Sequence, residues 1–162
     1  MDLEKISYAS FILDITLQVL RQNDAEEIFD LLKDTLLKIE EGLSPLPLTH
    51  ILELKLLDFL GVTPNLDSCS ICGSNKSIVT LSASHGGYIC KNCYTNDALV
   101  SEKTIKMIRM YYYIDISSIT KLDVSSEVTK EINQFLDDYY ERYTGIYIKS
   151  KEFIKRINSL TT

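Results

Sequence analysis

The chain has 162 residues, of which 45% are hydrophobic and 25% charged, a length that suits one compact domain and an apolar share too high for disorder. Its 17 basic and 23 acidic side chains leave a net charge of −6, which argues against a globally basic nucleic-acid binder. No run of about 18 apolar residues occurs, and the start Met1-Asp2-Leu3-Glu4-Lys5 lacks the basic and apolar regions of a secretion signal. The expected setting is therefore a reducing cytoplasm with no membrane partner, where cysteines bind metal or do redox chemistry. The charge is uneven: residues 1–60 hold twelve acids and five bases, and residues 61–162 hold eleven and twelve. A polyanion would prefer the second half.

Leu3, Ile6, Ser10, Leu13, Leu17 and Leu20 recur at helical spacing, with Ile12, Ile15 and Val19 as a second stripe; a helix apolar on two sides is expected to be buried between neighbours. Asn23, with Glu26 three residues on, has the form of a capping box for a second helix. That helix carries Ile28, Leu31, Leu32, Leu36 and Ile39 and stops at Gly42. Ser44-Pro45 opens a third helix, because proline suits the first turn; Leu48, Ile51, Leu52, Lys55 and Phe59 line one face, and Gly61 closes it. Ser77–Leu81 and Gly87–Ile89 read as two short strands joined by a turn containing His85. Ser101 is a cap for a helix presenting Ile105, Ile108 and Tyr112. Val128, Ile132, Phe135, Leu136, Tyr139 and Tyr143 form the cleanest amphipathic stripe, and Ser150 is placed to cap a last helix with Phe153, Ile157 and Leu160. The expected fold is mainly α: a helical bundle, 1–65 and 99–162, interrupted by a small β-hairpin insert at 66–98.

The insert holds Cys69-Ser70-Ile71-Cys72 and Cys90-Lys91-Asn92-Cys93, the pattern C-x2-C-x17-C-x2-C. Each C-x2-C turn delivers two sulfurs to one side, and a hairpin brings the pairs together as a tetrahedral set of thiolates. Gly73 can take positive φ after the first pair. Four thiolates close the coordination sphere, so one structural Zn2+ is the expected cofactor. Two redox pairs or disulfides, or unpaired core cysteines, are the competing readings. His85 could replace a thiolate but is expected to be a solvent-facing turn residue, and His50 a structural one.

These residues resemble the family of the DNA repair protein RecO, a recombination mediator. The similarity runs through Asp2–Tyr8, Glu53–Leu57, Leu60-Gly61 and Pro64–Cys69, then Cys72-Gly73, Gly86-Gly87, Cys90 and Cys93, and ends at Gly145, Lys149-Ser150 and Phe153. Leu81 stands where the family often has an aromatic residue. Family members begin with an oligonucleotide-binding β-barrel that nothing before Asp2 resembles, so the chain is expected to correspond to their C-terminal helical and zinc-bearing part. The resemblance implies a bacterial, nucleoid-associated protein that anneals strands and helps load RecA onto single-stranded DNA coated by single-stranded DNA-binding protein (SSB). The implied partners are RecR, the C-terminal tail of SSB, and single-stranded DNA, the last bound weakly by this chain.

No phosphate loop, zinc-protease or nucleophile-elbow motif is present in the sequence, and no enzymatic activity is expected. Two basic segments could meet phosphates or an acidic peptide. Lys103, Lys106 and Arg109 lie three apart on the helix after the insert. Lys149, Lys151, Lys155 and Arg156 give a net +3 over eight residues. The rival reading is a protein-interaction module with structural zinc that does not bind DNA.

Overall fold

The computed structural model describes residues 2–160. Three helices, α1 (Leu3–Leu20), α2 (Glu26–Glu40) and α3 (Pro45–Phe59), lead into a hairpin of β1 (Ile78–Ser82) and β2 (Gly87–Cys90). Then come α4 (Glu102–Tyr113), a single 3-10 turn at Ile116–Ser118, α5 (Ser126–Tyr143) and α6 (Lys149–Leu160). The fold is mainly α with one small antiparallel hairpin, as the sequence pattern predicts. No helix among the described residues is long and apolar enough to cross a membrane.

The core is built around α3, which touches α1, α2, α4 and α5. It is buried on every side rather than on one face, from Pro47 through Leu54 and again at Leu56 and Leu57. A central helix needs no polar face, which is why its periodicity is weak. The stripe of α5 is in the core as expected: Val128, Ile132, Phe135, Leu136 and Tyr139 are buried, and Tyr143 sits at the rim. Ser101 caps α4, its hydroxyl accepting from the Thr104 N–H at 3.3 Å. Glu131 of α5 ties down the same end, accepting from Ser101 N–H at 3.1 Å and the Thr104 hydroxyl at 2.8 Å.

Several local expectations change. Only one of the two stripes of α1 is buried. Ile12, Ile15 and Val19 are in the core with Tyr8 and Phe11, whereas Leu3, Ile6, Leu13 and Leu17 are 43–58% exposed. The neighbours of α1 lie against one side of it, so the stripe of Leu3, Ile6, Leu13 and Leu17 faces outward. Asn23 does not cap α2, whose N-cap is Ala25 without a side-chain bond. Its carboxamide accepts from Ala25 N–H and donates to the Phe59 carbonyl, tying the α1–α2 turn to the end of α3. Tyr111, not Tyr112, is the buried tyrosine of α4, and Tyr112 reaches sideways to the Asp58 carboxylate at 3.1 Å. Ser150 lies inside α6 and donates to Asp14 at 2.8 Å, so it docks the helix on α1 instead of capping it. On α6 it is Ile154 that is buried, while Phe153 and Leu160 are exposed.

Candidate metal centre and flanking cationic faces

The ribbon follows α3 after a short connection. Asn65 organises the approach: its carboxamide oxygen accepts from the N–H groups of Asp67 and Ser68, both at 3.1 Å. Its backbone bonds the hairpin from the side, Asn65 N–H to the Gly86 carbonyl at 2.8 Å and Tyr88 N–H to the Asn65 carbonyl at 2.9 Å. Gly87 makes that approach possible. At φ +145° a Cβ there would lie 2.2 Å from the Asn65 carbonyl oxygen, so no side chain fits. The strands pair Leu81 with Tyr88 and Ser82 with Gly87, with an irregularity between Ile78 and Thr80.

Each end of the ribbon presents a C-x2-C turn. In the first, Gly73 N–H bonds the Cys69 carbonyl at 2.9 Å and Cys69 N–H bonds the Ser74 carbonyl at 2.7 Å, with Gly73 at φ +80°. In the second, Cys93 N–H and Tyr94 N–H both bond the Cys90 carbonyl, at 3.1 and 3.0 Å. The two turns bring the sulfurs of Cys69, Cys72, Cys90 and Cys93 within 4.8 Å of one another. The Cys72 and Cys90 sulfurs are 3.6 Å apart and all four thiols are free. Metal–sulfur bonds of about 2.3 Å in a tetrahedron set sulfurs roughly 3.8 Å apart, so the observed set has the size of a four-thiolate cage.

The electrostatics point the same way. Burial opposes ionisation of Cys69, yet the N–H groups of Cys72, Cys90 and Ile71 aimed at its sulfur bring the thiol down to about 6. Desolvation and the neighbouring sulfurs of Cys72, Cys90 and Cys69 push Cys93 up to about 12. The protein groups thus favour the thiolate at Cys69 and oppose it at Cys93. A divalent cation is the species that would let all four ionise together.

Neither histidine joins the cluster. His85 turns to the hairpin loop, its Nδ1 2.9 Å from the Ser82 hydroxyl and 3.8 Å from Asp97. His50 is buried on α3 with Nε2 3.0 Å from the Asn133 carboxamide oxygen.

The ribbon is fastened to the helices by side chains that spacing alone does not reveal. The Tyr88 hydroxyl donates to the Ile105 carbonyl of α4. Within the ribbon, Thr80 donates to the Ala98 carbonyl at 2.6 Å and Ser82 to Asp97 at 2.7 Å, holding the segment that leads to α4 against β1. Tyr143, at the end of α5, donates to the Ala83 carbonyl in the hairpin turn at 2.5 Å.

The basic segments are largely engaged within the molecule. On α4, Lys106 pairs with Glu102 at 3.0 Å and Arg109 with Asp67 at 2.9 Å, while Lys103 makes no ion pair among the described residues. On α6, Lys149 and Arg156 are likewise exposed and unpaired among the described residues, and Lys155 approaches Asp137 at 3.4 Å. Lys151 is not the exposed cation that the charge count suggests. It points inward over Phe11 and bonds Asp137 and, at 3.0 Å, the Glu53 carboxylate, which is 2% exposed. A buried carboxylate demands a cation, and Lys151 is spent on Glu53 and Asp137.

The geometry defines a class: a helical domain that carries a four-cysteine, β-hairpin ribbon between its third and fourth helices. Residues 1–152 match the family model described as "Recombination protein O C terminal", and the chain belongs to that family. It is similar to proteins named "DNA repair protein RecO" from three Bacillus species. That of Bacillus pumilus is 34% identical over 82% of this chain and 53% of its own length. That of Bacillus velezensis is 30% identical over 98% of this chain and 64% of its own length, and that of Bacillus subtilis 28% identical over the same shares. The chain therefore spans between about half and two thirds of the length of these curated relatives.

Proposed function

We propose that this chain is the helical, metal-bearing domain of a recombination mediator, working in DNA repair without an enzymatic step of its own. The observation that carries the reading is the match to the RecO C-terminal family over nearly the whole chain, with the four thiols converging as a ribbon centre requires. One Zn2+ held by Cys69, Cys72, Cys90 and Cys93 is structural: with four thiolates as ligands it has no open position for substrate, and its binding folds the ribbon. The finer role is that of RecO-like mediators in the bacterial cytoplasm, near the nucleoid: assisting annealing and the loading of RecA on SSB-coated strands, with RecR as a partner. The acidic tail of SSB is assigned to the α4 face of Lys103, Lys106 and Arg109, where Met110 and Tyr113 add apolar surface to a shallow cleft of about 420 Å³. Lys149, Lys155 and Arg156 are the second candidate contact.

Strand annealing of complementary oligonucleotides coated by SSB, with and without this protein, tests the role directly. Acceleration lost in Arg109→Glu supports it, and no acceleration by a folded, metal-loaded protein rejects it. The net charge of −6 and the internal pairing of Lys106, Arg109 and Lys151 favour a second reading, a partner-binding module with little affinity for DNA. Fluorescence anisotropy with single-stranded DNA separates the two: weak binding that falls steeply with salt fits the mediator domain, and none at low salt fits the partner module.

A further inference from the structure

The cation at the centre of the α4 face already holds a carboxylate. Asp67, at the start of the ribbon, accepts from Arg109 Nη2 at 2.9 Å and from the Tyr113 hydroxyl at 2.8 and 2.9 Å. The Arg109 guanidinium lies 4.9 Å from the centroid of the Tyr113 ring, so the two groups act as one receptor. Around it, Met110 is 41% and Tyr113 54% exposed, and they line the same cleft as Lys106 and Arg109. Asp67 itself is held from behind by the Asn65 side chain through its N–H. Its position is therefore set by the ribbon.

We propose that Asp67 is an internal competitor, occupying the anion position of a site on α4 that takes a carboxylate of an acidic peptide carrying an apolar residue. The inference rests on the assignment of the α4 face as a partner site and adds its regulation. The class of ligand follows from the receptor. A guanidinium and a phenol that together bind one carboxylate are suited to another of the same shape, and the exposed faces of Met110 and Tyr113 suit an apolar group beside it. The contact is on the surface, with Arg109 and Asp67 side chains 53% and 60% exposed, so it is weak enough for a ligand to displace. Whatever loosens the segment around Asp67, loss of the ribbon's metal included, frees the receptor.

The test is binding of a fluorescent peptide of aspartates closing on a phenylalanine with a free carboxylate, measured by anisotropy at fixed salt. Asp67→Asn should tighten binding about two- to fivefold, the scale of an exposed ion pair, and Asp67→Ala should do the same. Asp123→Asn makes the same change of charge near Lys103 and Lys106 without touching Arg109, and should leave affinity unchanged. In an Arg109→Gln background the gain from Asp67→Asn should vanish. Circular dichroism of each variant confirms the fold. An equal gain in Asp123→Asn, or a gain that survives Arg109→Gln, overturns the proposal as a general charge effect. No gain in Asp67→Asn, with Arg109→Gln still weakening the parent protein, overturns the competition but leaves the partner site standing. If Arg109→Gln changes nothing in the parent protein, the partner site itself is wrong. If an oligothymidylate shows the Arg109-dependent gain and the peptide does not, the ligand class is wrong.

Discussion

The helical body and the ribbon are held together by different forces. In the body, Ile12, Ile28, Leu48, Ile51, Leu52, Ile132 and Leu136 are fully buried and pack into one continuous cluster. The ribbon between Leu66 and Ala98 buries far less: Leu66, Leu81, Ala83, Tyr88, Ile89, Cys69 and Cys90. Each such side chain gains about 25 cal/mol per Å2 of apolar surface removed from water, the main force that holds the body. The ribbon is too small for that alone: Leu66, Leu81, Ala83 and Tyr88 join the body's cluster, and it otherwise relies on a backbone approach at Asn65 and Gly87, hydrogen bonds to the helices, and four converging thiols that could hold a cation. A segment with little core needs a staple. The same contrast separates the two basic segments, since α6 uses Lys151 to hold the body together whereas α4 keeps Arg109 at the ribbon's edge.

The largest effect should come from the buried pairing of Lys151 with Glu53. Lys151→Ala leaves the Glu53 carboxylate, 2% exposed, without its cation beside Phe11, and should cost about 3–5 kcal/mol. Chemical denaturation measures it, and a loss below about 1 kcal/mol would mean Glu53 is already satisfied by other groups. Next is the ribbon's closest approach. Gly87→Ala puts a Cβ against Asn65 and should cost about 1–3 kcal/mol in strain, read as lost amide protection at 78–90 with α1–α3 unchanged.

A pH titration sharpens the comparison further, because His50 belongs to the body. Burial lowers its pKa from the ordinary 6.5, outweighing the raising effects of Glu53 and the Asn133 hydrogen bond. The unfolded chain therefore takes up a proton near pH 6.5 that the folded chain refuses. Stability from this group is complete above pH 6.5 and declines as the pH falls below it toward the lowered folded value. Denaturation midpoints between pH 7 and 5 should show the decline, with a smaller slope in His50→Gln. The smallest effect is expected at an exposed pair: Arg142→Ala breaks the 2.8 Å bond to Asp138 and should cost no more than about 0.5 kcal/mol in thermal melts.

What the sequence made legible follows the same division. The stripe of α5 was readable because Val128, Ile132, Phe135, Leu136 and Tyr139 face a core while their neighbours face water, and the cysteine spacing because two C-x2-C turns have few other uses. Periodicity could not show which stripe of α1 would find neighbours, since Leu3, Ile6, Leu13 and Leu17 are as apolar as Ile12, Ile15 and Val19. Nor could it separate Tyr111 from Tyr112, adjacent on one helix. Asn23 and Ser150 have the chemistry of caps, but each found a tertiary partner, Phe59 and Asp14, that no local pattern encodes. Lys151 reads as surface charge in the sequence because its partner Glu53 is 98 positions away. Long-range polar pairs are the part of this molecule that sequence spacing hides.

The central claim is that a metal holds the ribbon while the body stands without it. Hydrogen–deuterium exchange read by mass spectrometry, before and after a chelator strips the purified protein at neutral pH, tests it most directly. Loss of protection confined to the ribbon, from about residue 66 to 98, with α1–α3 and α5 unchanged, is the result predicted. A ribbon that stays protected after its metal is gone, or a body that opens together with it, would contradict the account.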